Sequence, residues 1–260
     1  MLRYKADRRT LGFVTTYFAL VAVLWLWDPG DWYVALPLIG VLSSLSWFCA
    51  VITHNTIHCA IFTNRWLNKA LQVVLTLTYG HPVSSYVSGH NLSHHMYTRQ
   101  DRKVIPPTKV NSRWHLMNLL AFVPTVGGAV TKGDFAFAKI MRKQRPRWFR
   151  QFAVEAIVLV VVTVALFILD WRKALLYWYV PHLWAAWGII AINFLPHDGT
   201  DETSPWNHSR NFVGRLFGWL TFNNGFHGIH HMHPNLHWSL LREAHDKELA
   251  PNIHPNLDQP

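Results

Sequence analysis

Nine of the 17 histidines fall into four clusters: His54 with His58, His90 with His94 and His95, His197, and His227 with His230 and His231. On a helix, residues three or four apart share a face about 5–6 Å apart, so each cluster directs its imidazoles toward a common point. His94 and His95 are adjacent, as are His230 and His231. Adjacent helical residues diverge by roughly 100°, so one ion does not easily take both, and two ions are the natural solution. Imidazole suits zinc, copper, iron and nickel alike. Nine imidazoles are too many for one four-coordinate structural zinc, but they fit two five- or six-coordinate ions with a position left for oxygen or water. The Glu-x-x-His pattern of soluble di-iron bundles is absent, so the site would be all nitrogen.

The elements that position these clusters belong to a membrane protein. Half of the residues are hydrophobic, 14 are Trp, and the net charge is +10. With so much apolar sequence this is a membrane profile, not that of a soluble nucleic-acid binder. Four runs are long enough to span a bilayer, about 11–27, 32–52, 152–169 and 174–194. They pair into two hairpins through Asp28-Pro29-Gly30-Asp31 and Asp170-Trp171-Arg172-Lys173, with Trp25, Trp27, Trp32, Trp171 and Trp178 near the turns as an aromatic belt. Of the 24 Lys and Arg residues, only Arg172 and Lys173 lie in a turn. The expectation is an integral protein of an inner or plasma membrane with both termini cytoplasmic. Its fold class is all-α: four transmembrane helices and a helical cytoplasmic cap (53–151 and 195–260) carrying every histidine cluster, within one domain over 1–260. Two further apolar stretches, Trp66–Tyr79 and Trp114–Val130, read as interfacial or re-entrant helices. The first is too short to span, and the second is interrupted by Pro124, Gly127 and Gly128. No small-residue cleavage site follows the first apolar run, which is therefore expected to stay as a span. Cys49 and Cys59 read as reduced thiols.

The motifs His54-x-x-x-His58, His90-x-x-x-His94-His95, Asn193-x-x-x-His197 and His227-x-x-His230-His231 resemble, in order, the histidine boxes of the membrane fatty acid desaturase and hydroxylase superfamily. The stretch Asn223 to Pro234 is especially similar to the last box of bacterial desaturase-like proteins. The resemblance implies a di-iron centre on the nine histidines, with Asn193 reaching a metal directly or through water. It also implies dioxygen as co-substrate and hydrogen abstraction from a lipid acyl chain. Desaturation removes a second hydrogen and leaves a double bond; hydroxylation or ketolation, on an alkyl, fatty acyl or carotenoid substrate, is the alternative outcome. Two departures favour the alternative. Three residues separate His90 from His94 where many desaturases have two, and Ile229 stands where many carry an acidic residue. A carboxylate to orient the ligands would then come from Asp198, Asp201 or Glu202. No ferredoxin, rubredoxin or cytochrome domain is fused to the chain, so a separate ferredoxin-type or cytochrome-type protein is expected to deliver electrons.

The remaining histidines divide by position. His81, His115, His208, His245 and His254 read as hydrogen-bonded or solvated side chains, whereas His233 and His237 follow the last box closely enough to orient ligands. His182 follows Pro181 inside the fourth span, where it lines a substrate tunnel or bonds a carbonyl freed by the proline. Glu155 is expected at an interface, at the start of the third span. Arg142, Lys143, Arg145, Arg147 and Arg150 suit anionic lipid headgroups or an acidic electron carrier. A histidine-rich metal transporter is the non-enzyme alternative, but transporters gather ligands near the bilayer midplane, where only His182 lies.

Overall fold

Four helices are long and apolar enough to cross a membrane: Asp7–Leu26, Trp32–His58, Pro146–Leu169 and Trp171–Ile192. They were located in a computed structural model that describes residues 1–86, 115–201 and 203–260. The chain is an all-α membrane protein, with α1 (Asp7–Leu26) and α2 (Trp32–His58) forming the first hairpin. An amphipathic α3 (Arg65–Tyr79) follows, then α4 (His115–Gln144) and α5 (Pro146–Leu169). The last spanning helix, α6, starts as Trp171–Ala174, passes through a π turn at Leu175–Tyr179 and continues as Val180–Phe194. The π turn ends two residues before Pro181, whose missing N–H removes the ordinary ladder bond to Tyr177 in that turn.

The helices outrun the apolar runs that announce them. Helix α1 takes in Arg8 and Arg9, and α5 opens on Pro146 at its first position, where a proline costs no hydrogen bond. Arginine is a good helix former, so the ladder continues where the hydrocarbon stops. Helix α2 likewise runs past Ile52 to His58 and carries both histidines of the first cluster. Helix α4 continues through Pro124, Gly127 and Gly128, where the sequence predicts an interruption. An interior proline removes one hydrogen bond and bends a helix, and a long helix absorbs that loss.

The chain divides into two units. One comprises Met1–Thr56, Ala60–Ser85 and Ala138–Ile189; the other comprises Ile57–Cys59, Tyr86–Phe137 and Ile190–Pro260. In the first, α5 turns Val154, Ile157, Val160, Val161, Val164 and Ile168 outward, an apolar face suited to lipid. Its one buried residue is Glu155. Far from facing water at an interface, the Glu155 carboxylate accepts the Ser84 N–H at 2.8 Å, the Ser84 hydroxyl at 3.0 Å and the Gln151 amide at 2.9 Å. This ties the short turn Val83–Ser85 to a membrane helix, six residues before His90.

His182 performs a similar service one helix away. Its Nε2 lies 3.0 Å from the Tyr17 hydroxyl and 3.1 Å from the Leu77 carbonyl, so α6 is joined to α1 and α3 instead of bonding a carbonyl of its own helix. Gly80 ends α3 with φ +79, and a Cβ there would sit 2.8 Å from the His182 ring. The position needs glycine both for its left-handed backbone and for that close approach.

Removing the Glu155 acceptor strands buried donors, which costs about 1–3 kcal/mol. Glu155→Ala should therefore lower the thermal unfolding midpoint in detergent more than Ser84→Ala, which deletes one donor and leaves the others paired. Equal midpoints for wild type and Glu155→Ala would show that the tie contributes nothing.

Candidate metal centre

The second unit holds the end of α6, the short helices α7 (Arg215–Leu220) and α8 (His227–Met232), and a parallel pair β1 (Asn211–Phe212) and β2 (Asp258–Gln259). In the short helix α8, His227 and His231 lie one turn apart on one face, while the His230 ring packs against His58. The chain enters it through Phe222 and Asn223, both at positive φ (53° and 57°), which swing the backbone round before the helix begins.

Three imidazoles converge here. His227 Nε2 lies 3.0 Å from His197 Nε2 and 2.9 Å from His231 Nε2, and all three residues are buried. The donor set fits a cation better than it fits hydrogen bonds. The carbonyl of His208 can only accept, and it stands 3.2 Å from His197 Nδ1, so the His197 proton is on Nδ1 and its Nε2 presents a lone pair. An imidazole nitrogen offers one proton or one lone pair, so His227 Nε2 does not make two good bonds to its neighbours at once. A shared ion takes all three lone pairs without conflict. Two nitrogens about 2.1 Å from one ion and roughly at right angles would lie about 3 Å apart, as found here.

The loop that carries His197 is closed by its own backbone. Arg210 N–H donates to Pro196 O at 2.7 Å, and the Thr200 hydroxyl stands 3.1 Å from the His208 carbonyl. The same unit brings His58, at the end of α2, against His230, their ring centroids 4.8 Å apart and nearly perpendicular. His54 stands one turn before His58 on α2. It is buried, and its Nδ1 lies 3.2 Å from Asn55 Oδ1. His90, His94 and His95 lie outside the described residues, as does the side chain of Asn193.

The other sequence candidates differ in burial and bonding. His233 is exposed and pairs with Glu248 at 2.7 Å. His237 is buried, but its Nδ1 accepts from Ser239 and caps the turn Trp238–Leu240. Asp198 is part-exposed in the turn after α6. Asp201 is solvent-facing and accepts the Thr203 hydroxyl at 2.7 Å and the Thr203 N–H at 3.0 Å, bonds that hold its carboxyl below the usual range. Glu202 lies outside the described residues. His182 belongs to the membrane unit, hydrogen-bonded as above. His254, exposed, accepts from Asn256 N–H.

Sequence reading takes His208 as a hydrogen-bonded or solvated side chain and passes over Asn211 and Asp258. His208 is buried with its ring centroid 6.0 Å from that of His231, and it lends its carbonyl to His197. Asn211 and Asp258 hold α8 in place through side chains. Nothing in their spacing marks them, since they meet α8 and each other across 17 and 47 residues.

No curated protein matches the chain. The sequence model of the fatty acid desaturase family does, over residues 30–258, from the turn before α2 to β2. With four helices able to span a membrane and the buried His197, His227 and His231 gathered together, the chain belongs to the fatty acid desaturase family.

Proposed function

We propose that the protein is an oxygen-dependent di-iron desaturase that introduces a double bond into a lipid acyl chain. The observation that carries this reading is the convergence of His197, His227 and His231, three buried imidazole nitrogens with at least one proton held on the outer side. These three would hold one iron. His58 and His230 begin the second set, with His54 one turn earlier on α2 and His90, His94, His95 and Asn193 completing the shells. A bound iron pair would activate dioxygen, the oxidant that removes hydrogen from an unactivated C–H bond. The balance is CH2–CH2 + O2 + 2e− + 2H+ → CH=CH + 2H2O, with the two electrons delivered by a separate redox protein of ferredoxin or cytochrome type.

The chain's own residues prepare the site. The His208 carbonyl fixes the His197 tautomer, and burial removes competing water from the three imidazoles. Membership of the family supports an oxidoreductase acting by desaturase- or hydroxylase-type chemistry. Desaturation is preferred because the segment Asn223 to Pro234 resembles the desaturase box. The positive-charge bias supports a cytoplasmic site at an inner or plasma membrane.

Three measurements test the reading. His231→Ala should abolish turnover and lower iron content, whereas His254→Ala, on the exposed C-terminal segment, should do neither. One zinc and no iron in fully active protein would end the di-iron proposal. Under labelled dioxygen the main product should be an unlabelled olefin; label in a hydroxylated or oxo lipid as the main product would establish the hydroxylase or ketolase alternative. A cysteine at Asn256 should react with a membrane-impermeant reagent from the cytoplasmic side and one at Asp31 from the opposite side. The same side for both would overturn the topology.

A further inference from the structure

The helix bearing His227 and His231 is too short to hold itself. Its six residues close at most two ladder hydrogen bonds among themselves, and the flanks add only His230 N–H to Phe226 O at 3.1 Å and His233 N–H to Ile229 O at 2.9 Å, so a helix this short depends on ties from outside. The N–H of Gly228, in its first turn, donates to Asn211 Oδ1 at 2.8 Å. Asn211 is fully buried, and its Nδ2 donates to Asp258 Oδ1 at 3.0 Å. The other oxygen of Asp258 takes a hydrogen bond at 3.0 Å from the buried His245, whose ring packs 5.0 Å from that of Phe226, next to His227. The backbone repeats the link, for Asn211 and Asp258 are register partners in the β1–β2 pair.

Asn211 has a choice that Asp258 removes. A primary amide is donor on one side and acceptor on the other, and either could face α8. A carboxylate accepts only, so it draws Nδ2 toward itself and leaves Oδ1 toward the Gly228 N–H. The approach is tight: a Cβ at position 228 would lie 3.2 Å from Asn211 Oδ1 and 2.6 Å from Leu249 Cδ2. Glycine at 228 lets the amide come close enough to bond.

We propose that Asp258 is a positioning residue for the histidine cluster, acting through Asn211 and Gly228 to fix the first turn of α8 and with it His227 and His231. This rests on the reading above that those two histidines hold iron. It places the carboxylate that supports the last histidine box 27 residues downstream of His231, in a terminal strand, and not beside the histidine pair.

The test uses the full chain in detergent. Hydrogen exchange of the 226–232 segment in metal-free protein reads the brace directly, and iron affinity by competition with a chelator reads its consequence. Asp258→Ala and Asn211→Ala should each speed exchange in that segment and weaken iron binding about tenfold. The double variant should lose little more than either alone, because both break the same chain of bonds. Asp258→Asn should restore part of the protection, since its single oxygen still accepts from Asn211 when its amide nitrogen faces an unprotonated His245 nitrogen. Unchanged exchange at 226–232 in Asp258→Ala, or faster exchange throughout the protein with additive losses, would overturn the proposal. If wild type binds no iron while exchange at 226–232 still responds to Asp258→Ala and recovers in Asp258→Asn, the di-iron reading falls and the brace on α8 stands.

Discussion

A neutral imidazole carries one proton and one lone pair, and the whole His197, His227 and His231 arrangement depends on where that proton sits. If the proton were on the inner nitrogen of His197, that residue would present a donor to the cluster and could not bind a cation. The His208 carbonyl prevents this by accepting from Nδ1 at 3.2 Å. A backbone acceptor is well suited to the task, since it does not titrate and is held by the loop closed between Pro196 and Arg210. Burial makes the choice stricter, because a polar atom away from water has no other partner to turn to.

The membrane helices obey the same accounting in a different solvent. Lipid satisfies no polar group, so each buried polar side chain there must find its partner within the protein. Glu155 finds three donors, and His182 finds Tyr17 and the Leu77 carbonyl. In both cases the polar group joins a membrane helix to a neighbouring element rather than facing the bilayer. The turn held by Glu155 is followed in sequence by the second histidine box, and the loop bearing His197 follows α6, so both leave from elements with tight internal ties.

The family match and the geometry constrain different things. Membership of the fatty acid desaturase family sets the broad chemistry and the membrane setting. The convergence of three imidazole nitrogens gives the second unit a cluster compatible with a cation, and the Asn211 and Asp258 side chains tie α8 to the β1–β2 pair.

The sequence by itself determined the features governed by short-range periodicity. Four apolar runs announced four spans, because crossing a bilayer demands length and hydrophobicity that residues express independently of their neighbours. The histidine clusters were legible for the same reason, since spacings of three and four are local properties of a helix. Tertiary structure decided which histidines of different clusters meet, as His197 meets His227 across 30 residues. It also decided that Glu155 is buried and bonded 71 residues away, and that the carboxylate supporting α8 is Asp258. A lone Asp, Asn or Glu carries no periodicity. Its role is set by the donor or acceptor that folding brings within about 3 Å, a distance that chain spacing does not encode.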